Sequence, residues 1–123
     1  MDQQLLTAAE TDSAVMVRCV EECERCHRTC LRTAMTYCLE QGTDRVDPAH
    51  FRSMLACADM CRATIDALLS GFDSCEDVCV LCARVCSQCA DNCERMPELQ
   101  DCAEVCRACA RACSAVGGGA VPS

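Results

Sequence analysis

The chain has 123 residues, 17 of them cysteine, with two Phe, one Tyr and no Trp. That length suits one compact domain and leaves no room for a second core. A formal net charge of −8 argues against nucleic-acid binding, which needs a basic face, and no apolar run approaches the ~20 residues that span a bilayer. The amino terminus, Met-Asp-Gln-Gln-Leu-Leu-Thr, lacks the basic segment and apolar stretch of an export signal, so the expected compartment is the cytoplasm.

Residues 1–12 read as a polar lead-in. A first helix is expected from an N-cap at Asp12 or Ser13, through Val15, Met16, Cys19, Cys23, Cys26 and Cys30, past Ala34 to Cys38, with Gly42 as its stop. Asp47-Pro48 is a strong helix start, with Asp as N-cap and Pro at the first helical position. The second helix runs from there to about Leu69 and stops at Gly71, carrying His50, Met54, Cys57 and Cys61. Asp73, with Glu76 three residues on, resembles a capping box for a third helix that ends near Arg95. Pro97-Glu98 opens a fourth, which ends at Gly117-Gly-Gly, and residues 117–123 are expected to be a disordered tail. Three short connections between four helices predict an all-α, up-down-up-down antiparallel four-helix bundle over residues 13–116.

The helices share one pattern. Cys75, Cys79, Cys82, Cys86, Cys89 and Cys93 recur at alternating gaps of four and three. At about 100° per residue they fall within an arc of about 80°, so one face of the third helix is a rail of sulfur about 27 Å long. Cys19, Cys23, Cys26 and Cys30 repeat the pattern, as do Cys102, Cys106, Cys109 and Cys113, while Cys57 and Cys61 give a shorter version. The antiparallel topology gathers Cys38, Cys93 and Cys102 with the start of the second helix at one end. His50 and Met54 lie on the seam phase of Cys57, with Met35 and Met96 nearby, so that end reads as a mouth. The other end gathers Cys19, Cys75 and Cys113 with Val15, Thr64, Ile65, Leu68, Phe72 and Val116, and reads as an apolar plug.

In a reducing cytosol such a chain is expected to bind metal instead of forming disulfides. The odd count and the helical spacing point the same way. Thiolates and thioethers are soft donors that select Cu(I), Zn(II) and iron–sulfur clusters. Zinc and iron–sulfur sites want four Cys around one point. A continuous sulfur tube suits Cu(I) better, because two or three thiolates hold each ion and each thiolate bridges two. The ratio is then one copper per Cys, or roughly 15–20 Cu(I) per chain. Each Cu(I) would replace one thiol proton, so the interior stays near neutral. No open coordination position with an adjacent base suggests catalysis.

The seams of helices one, three and four, the Cys57/Cys61 pair and the Pro- and Gly-marked turns resemble the copper storage proteins, the Cys-rich four-helix bundles of bacteria. The resemblance covers roughly residues 13–116. It implies storage of many Cu(I) ions in a preformed bundle, uptake at a mouth bearing His and Met, and assembly as a tetramer. The missing export signal makes the chain similar to the cytosolic branch. It departs from that branch at the turn Glu94-Arg-Met96-Pro-Glu98, where relatives can carry several His and this chain has none.

The expected metal ligands are therefore the 17 Cys with His50 and Met54, and the expected partners are copper ions, further copies of the chain and a copper chaperone. His50 also fits an exposed position in the first turn of its helix, and Met54 and Met96 also fit packing roles. Met35 and Met60 are expected to pack. His27 is expected at the surface, about 100° from the Cys26 direction, and Cys38, about 80° off the phase of Cys30, at the rim or outside the tube. Tyr37 reads as an interface or mouth residue. The charged residues between the cysteines read as solvated faces or oligomer contacts. An iron–sulfur carrier, a Zn(II)- or Cd(II)-buffering protein and a thiol-redox protein are the competing functions.

Overall fold

Helix ends and one buried stripe per helix account for the architecture. The structure is a computed structural model that describes residues 8–41 and 47–118. Residues 1–7, Gly42 with the rest of the first connection, and 119–123 lie outside the described residues, as do the side chains of residues 8–11, 38, 39 and 41. Helix α2, Pro48–Ser70, starts where expected: the Asp47 carboxylate accepts a hydrogen bond from Ala49 N at 3.1 Å, and Pro48 occupies the first turn. It stops at Gly71, whose φ of 69° is left-handed and whose N–H reaches the Ala67 and Leu68 carbonyls.

Helix α1, Ala8–Gln41, begins one turn ahead of the Asp12/Ser13 start. Ala8, Ala9 and Glu10 are good helix formers, so the helix runs through the two capping candidates instead of starting at them. Helix α3, Cys75–Glu94, does not use the Asp73/Glu76 capping box. Its N-cap is Ser74, without a side-chain cap bond. The cause lies in the preceding turn: Cys75 N donates to Phe72 O at 3.0 Å, which places Asp73 inside a tight turn. Pro97 opens a single 3-10 turn, Pro97–Leu99, and helix α4, Gln100–Gly117, follows it. The Gln100 amide donates to the Met96 carbonyl at 2.8 Å and to the Glu94 carbonyl at 3.2 Å, tightening this turn.

Each helix packs on its sequence neighbours, and α4 closes the ring against α1. Cys19 meets Cys113 and Cys30 meets Cys102, so α1 and α4 are antiparallel. Cys57 meeting Cys86 while Cys61 meets Cys82 shows the same for α2 and α3. The result is the expected up-down-up-down bundle, and among the described residues there is no strand. Its core is made almost entirely of Cys and Ala, with Met54, Leu68, Leu99 and Val105 as the larger side chains. Beside the Cys seams, Ala83, Ser87 and Ala90 on α3 and Ala103, Ala110 and Ser114 on α4 are buried too. A Cβ on Gly117 would stand 2.6 Å from Val80 Cγ2, a measure of how closely α4 approaches α3.

The plug at the Cys19 end is only partly as expected. Thr64 is fully buried, its hydroxyl donating to the Met60 carbonyl at 2.8 Å, and Leu68 is buried. Val15, Ile65 and Val116 are half-buried. Phe72 is 53% exposed, because it sits in the turn beyond Gly71 and not on a helix face.

A thiol-lined channel as candidate metal site

Sixteen described cysteines are free thiols; 15 are buried and Cys75 is half-buried. Twelve of their sulfurs form one chain of contacts along the bundle axis. From the plug end, Cys113 Sγ lies 3.4 Å from Cys19 and 3.6 Å from Cys23, and Cys23 lies 3.6 Å from Cys109. Cys109 reaches Cys61 at 3.7 Å, Cys61 reaches Cys86 at 3.7 Å, and Cys86 reaches Cys57 at 3.6 Å. Cys57 reaches Cys26 at 3.7 Å, Cys26 reaches Cys106 at 3.8 Å, Cys106 reaches Cys30 at 3.4 Å and Cys30 reaches Cys102 at 3.5 Å. Disulfide sulfurs sit about 2.05 Å apart, so these are van der Waals and S–H contacts.

Five groups of these sulfurs each lie mutually within 4.8 Å. Four are quartets: Cys23, Cys61, Cys82 and Cys109; Cys26, Cys57, Cys61 and Cys86; Cys26, Cys30, Cys57 and Cys106; and Cys30, Cys89, Cys102 and Cys106. The fifth is the trio Cys19, Cys23 and Cys113. The groups overlap, because Cys23, Cys26, Cys30, Cys57, Cys61 and Cys106 each belong to two. A metal–sulfur bond of about 2.3 Å sets S···S at about 3.8 Å in a tetrahedron and about 4.0 Å in a trigonal plane. The channel therefore holds its sulfurs near bonding separation already, and loading needs shifts of a few tenths of an ångström.

Charge decides what such a channel accepts. No Lys, Arg or His among the described residues is fully buried, so nothing offsets an array of bare thiolates. Cys79, Cys93, Cys106 and Cys109 are held well above the ordinary thiol range, first by S–H hydrogen bonding with neighbouring thiols and then by burial. Cys102 is brought down to about 5, chiefly because Cys106 and Cys30 donate S–H to it. Cys19, Cys26, Cys57, Cys82 and Cys89 are drawn down too, chiefly by S–H donation from neighbouring thiols, so along the channel thiols held protonated are interspersed with thiols that carry charge more readily. A monovalent cation per thiolate leaves the core neutral, whereas Zn(II) in a Cys quartet leaves two uncompensated negative charges.

At the mouth, His50 is half-buried and its Nε2 lies 3.4 Å from Cys93 Sγ. Met54 is buried, Met96 half-buried and Met35 40% exposed. Asn92 donates to Ser53 Oγ at 3.2 Å, tying α3 to α2 beside this site, and Arg107 bonds both Asp91 (2.5 Å) and Glu94 (2.8 Å), tying α4 to α3. Cys75, the first residue of its rail, belongs to none of the five groups, and the Cys38 side chain lies outside the described residues. Tyr37 is half-buried and packs against the core, as does Met60.

Three residues depart from the sequence reading. Met35, expected to pack, is 40% exposed. His27 is half-buried and not a free surface residue: its Nδ1–H donates to the Ala58 carbonyl at 2.8 Å, fastening α1 to α2. Glu22 is 8% exposed, with Arg18 at 3.5 Å and Arg25 at 3.4 Å. A charge on the flank of a Cys seam normally points to solvent, and only the partner helix decides how far it is covered.

The copper storage protein family model matches residues 8–117. The chain belongs to the copper storage protein family. The seams and quartets above are thus the interior of a copper storage fold. A crystal structure of the Nmul_A1745 protein from Nitrosospira multiformis is 37% identical, with a TM-score of 0.82 over 86% of this chain and 97% of that one. A cytosolic copper storage protein from Streptomyces lividans, in a structure with five coppers, is 36% identical, with a TM-score of 0.79 over 89% and 98% of the two chains. The cysteine-rich protein YhjQ of Bacillus subtilis is 29% identical over 75 residues, 61% of this chain and 68% of that protein. As a copper storage family member the chain takes multiple copper ions as cargo, and its Cys clusters are built to accept them.

Proposed function

We propose that this family member stores Cu(I) in the cytosol, roughly 15–20 ions per chain, bound by the thiolates of its channel and without catalytic turnover. The observation that carries the reading is the sharing of sulfurs between overlapping groups in a core where no basic side chain among the described residues is buried. All 17 Cys are the proposed ligands, with His50 and Met54 as auxiliary ligands at the mouth. The 3.4 Å approach of His50 to Cys93 supports the first, and the burial of Met54 under the mouth supports the second. The Streptomyces lividans relative supports both the copper cargo and the cytosolic compartment. The exposed apolar side chains Val17, Leu69, Val80 and Leu81 supply area for the homotetramer that the family resemblance implies. A copper chaperone is the proposed donor.

Anaerobic titration of reduced apo-protein with Cu(I), against a competing chelator, should give a stoichiometry well above ten per chain, and saturation at one or two ions would sink the proposal. The second reading is Zn(II) buffering, which the quartets favour because their 3.7–3.8 Å contacts match a tetrahedral site. It predicts tight Zn(II) in protein purified with its native metal, at one ion per four thiolates.

A further inference from the structure

The sulfurs at the mouth are covered. Cys93 is 0% exposed and Cys102 and Met54 are 1% exposed, while His50 beside Cys93 is half-buried. A copper ion arriving on a carrier ligand is larger than a water molecule, so it reaches these sulfurs only when part of the rim moves. Between α3 and α4 the rim is the turn from Glu94 to Leu99. Met96 in this turn is half-buried and packs against the core, and Leu99 is buried.

Two side chains of α4 fasten the turn, and neither is among the proposed ligands. Gln100 Nε2 donates to the Met96 carbonyl at 2.8 Å and to the Glu94 carbonyl at 3.2 Å. Arg107 lays a fork on Glu94, with Nη2 at 2.8 Å from Oε1 and Nε at 3.2 Å from Oε2, and Nη2 also donates to Asp91. Among the described residues the other ion pairs, Arg18–Glu22 and Arg25–Glu22, stay within α1, so the Arg107 clasp is the one that joins two helices. Both fastenings sit at Glu94, next in the chain to Cys93. On the other side of the turn, a groove of about 400 Å3 lies against α1, lined by Thr33, Thr36, Tyr37, Glu98 and Leu99. The turn thus has space to move.

We propose that Arg107 and Gln100 are positioning residues that hold the α3–α4 turn shut over the mouth, and that copper passes when this turn lifts about the buried Leu99. The storage reading supplies the identity of what passes; the motion itself does not depend on it. The fastenings suit a gate. A half-exposed guanidinium–carboxylate fork is stronger than a simple surface pair, yet weak beside the forces that hold the whole bundle. The turn can therefore open locally, far more often than the protein unfolds. With Gln100 and Arg107 both on α4, the turn closes onto that helix, while Asn92 keeps the last turn of α3 tied to Ser53 on α2.

The test is alkylation of the reduced, metal-free full chain by iodoacetamide, a small neutral reagent, with each cysteine followed by peptide mass spectrometry. Arg107→Ala should speed labelling of Cys93 and Cys102 about five- to tenfold and leave Cys19 and Cys113, at the other end, unchanged. Arg107→Lys, which keeps the charge without the fork, should restore part of the protection. Gln100→Ala should act in the same direction by about two- to threefold. Arg25→Ala, which breaks an ion pair within α1, should leave all four rates as they are. Loaded anaerobically, Arg107→Ala should take up and release Cu(I) faster while holding the same number of ions. Labelling of Cys93 unchanged in Arg107→Ala, or quickened equally at both ends as general loosening would do, would overturn the proposal. Hydrogen exchange on the unmodified chain decides the question even where a variant fails to fold. The amides of Arg95 and Met96 should exchange at least about tenfold faster than those of Cys86 and Cys109, and equal protection would also overturn it. A chain that binds little copper yet shows this labelling pattern supports the gate and counts against the storage reading alone.

Discussion

Filling the channel with copper should titrate protons out of the protein. Fifteen of the described thiols are buried, and no buried cation offsets their charge. Metal ligation requires the thiolate, so each Cu(I) that enters a protonated stretch must displace a proton. The sequence sets the ceiling at 17 protons per chain, one per Cys. Cys102 at the mouth is drawn down to about 5, and Cys26, Cys57 and Cys82 farther in are drawn down as well, while Cys23, Cys30, Cys61, Cys86, Cys106 and Cys109 are raised. The ratio should therefore settle between about half and one proton per copper. Affinity for an ion that displaces a proton should fall about tenfold per unit drop in pH while the pH stays below the raised thiol range. The assay is anaerobic addition of Cu(I) as a weak acetonitrile complex to lightly buffered protein, with protons followed by a pH-stat or an indicator dye. A mid-titration ratio below about half a proton per copper would refute the reasoning, because the interior thiols would then be ionised before metal arrives.

Stability of the apo-protein should fall as pH rises. Cys79, Cys93, Cys106 and Cys109 are raised in the fold, chiefly by S–H bonding to neighbours with burial added, so above about 8.5 the unfolded chain loses protons that the native state keeps, and the slope is negative. Thermal unfolding under reductant between pH 7 and 10 should show the decline, and copper-loaded protein should not. His50→Ala should slow copper uptake in stopped-flow measurements while changing total capacity by no more than about one ion, since the imidazole stands beside one channel sulfur, Cys93, at the mouth. Gly71→Ala should cost about 1 kcal/mol in chemical denaturation: its φ is 69°, nothing lies within 4 Å of the added Cβ, and the loss is backbone strain alone. Ser87→Ala should raise stability by about 1 kcal/mol, because Ser87 Oγ is buried without a hydrogen-bond partner and Ala also has the better helix propensity.

Much of this protein is written locally. The Cys spacing alone puts the sulfurs on one stripe per helix, because 3.6 residues per turn fixes which side chains share a face. Asp47-Pro48 and Gly71 set the bounds of α2 by chemistry confined to a few residues, and short connections leave only antiparallel neighbours. From those facts the bundle, its sulfur core and its soft-metal cargo all follow. Other features depend on where neighbouring elements come to rest. Asp73 and Glu76 have the residue types of a capping box, yet the turn from Phe72 to Cys75 takes the geometry away. His27 lies off the seam of its own helix, and only the approach of α2 brings the Ala58 carbonyl within 2.8 Å of it. The sharing of Cys26, Cys57 and Cys61 between groups arises from the relative heights of four helices, set by inter-helix packing that no single segment encodes. A stripe is a property of one helix; a site is a property of the distances between stripes, and those exist only once the helices have packed.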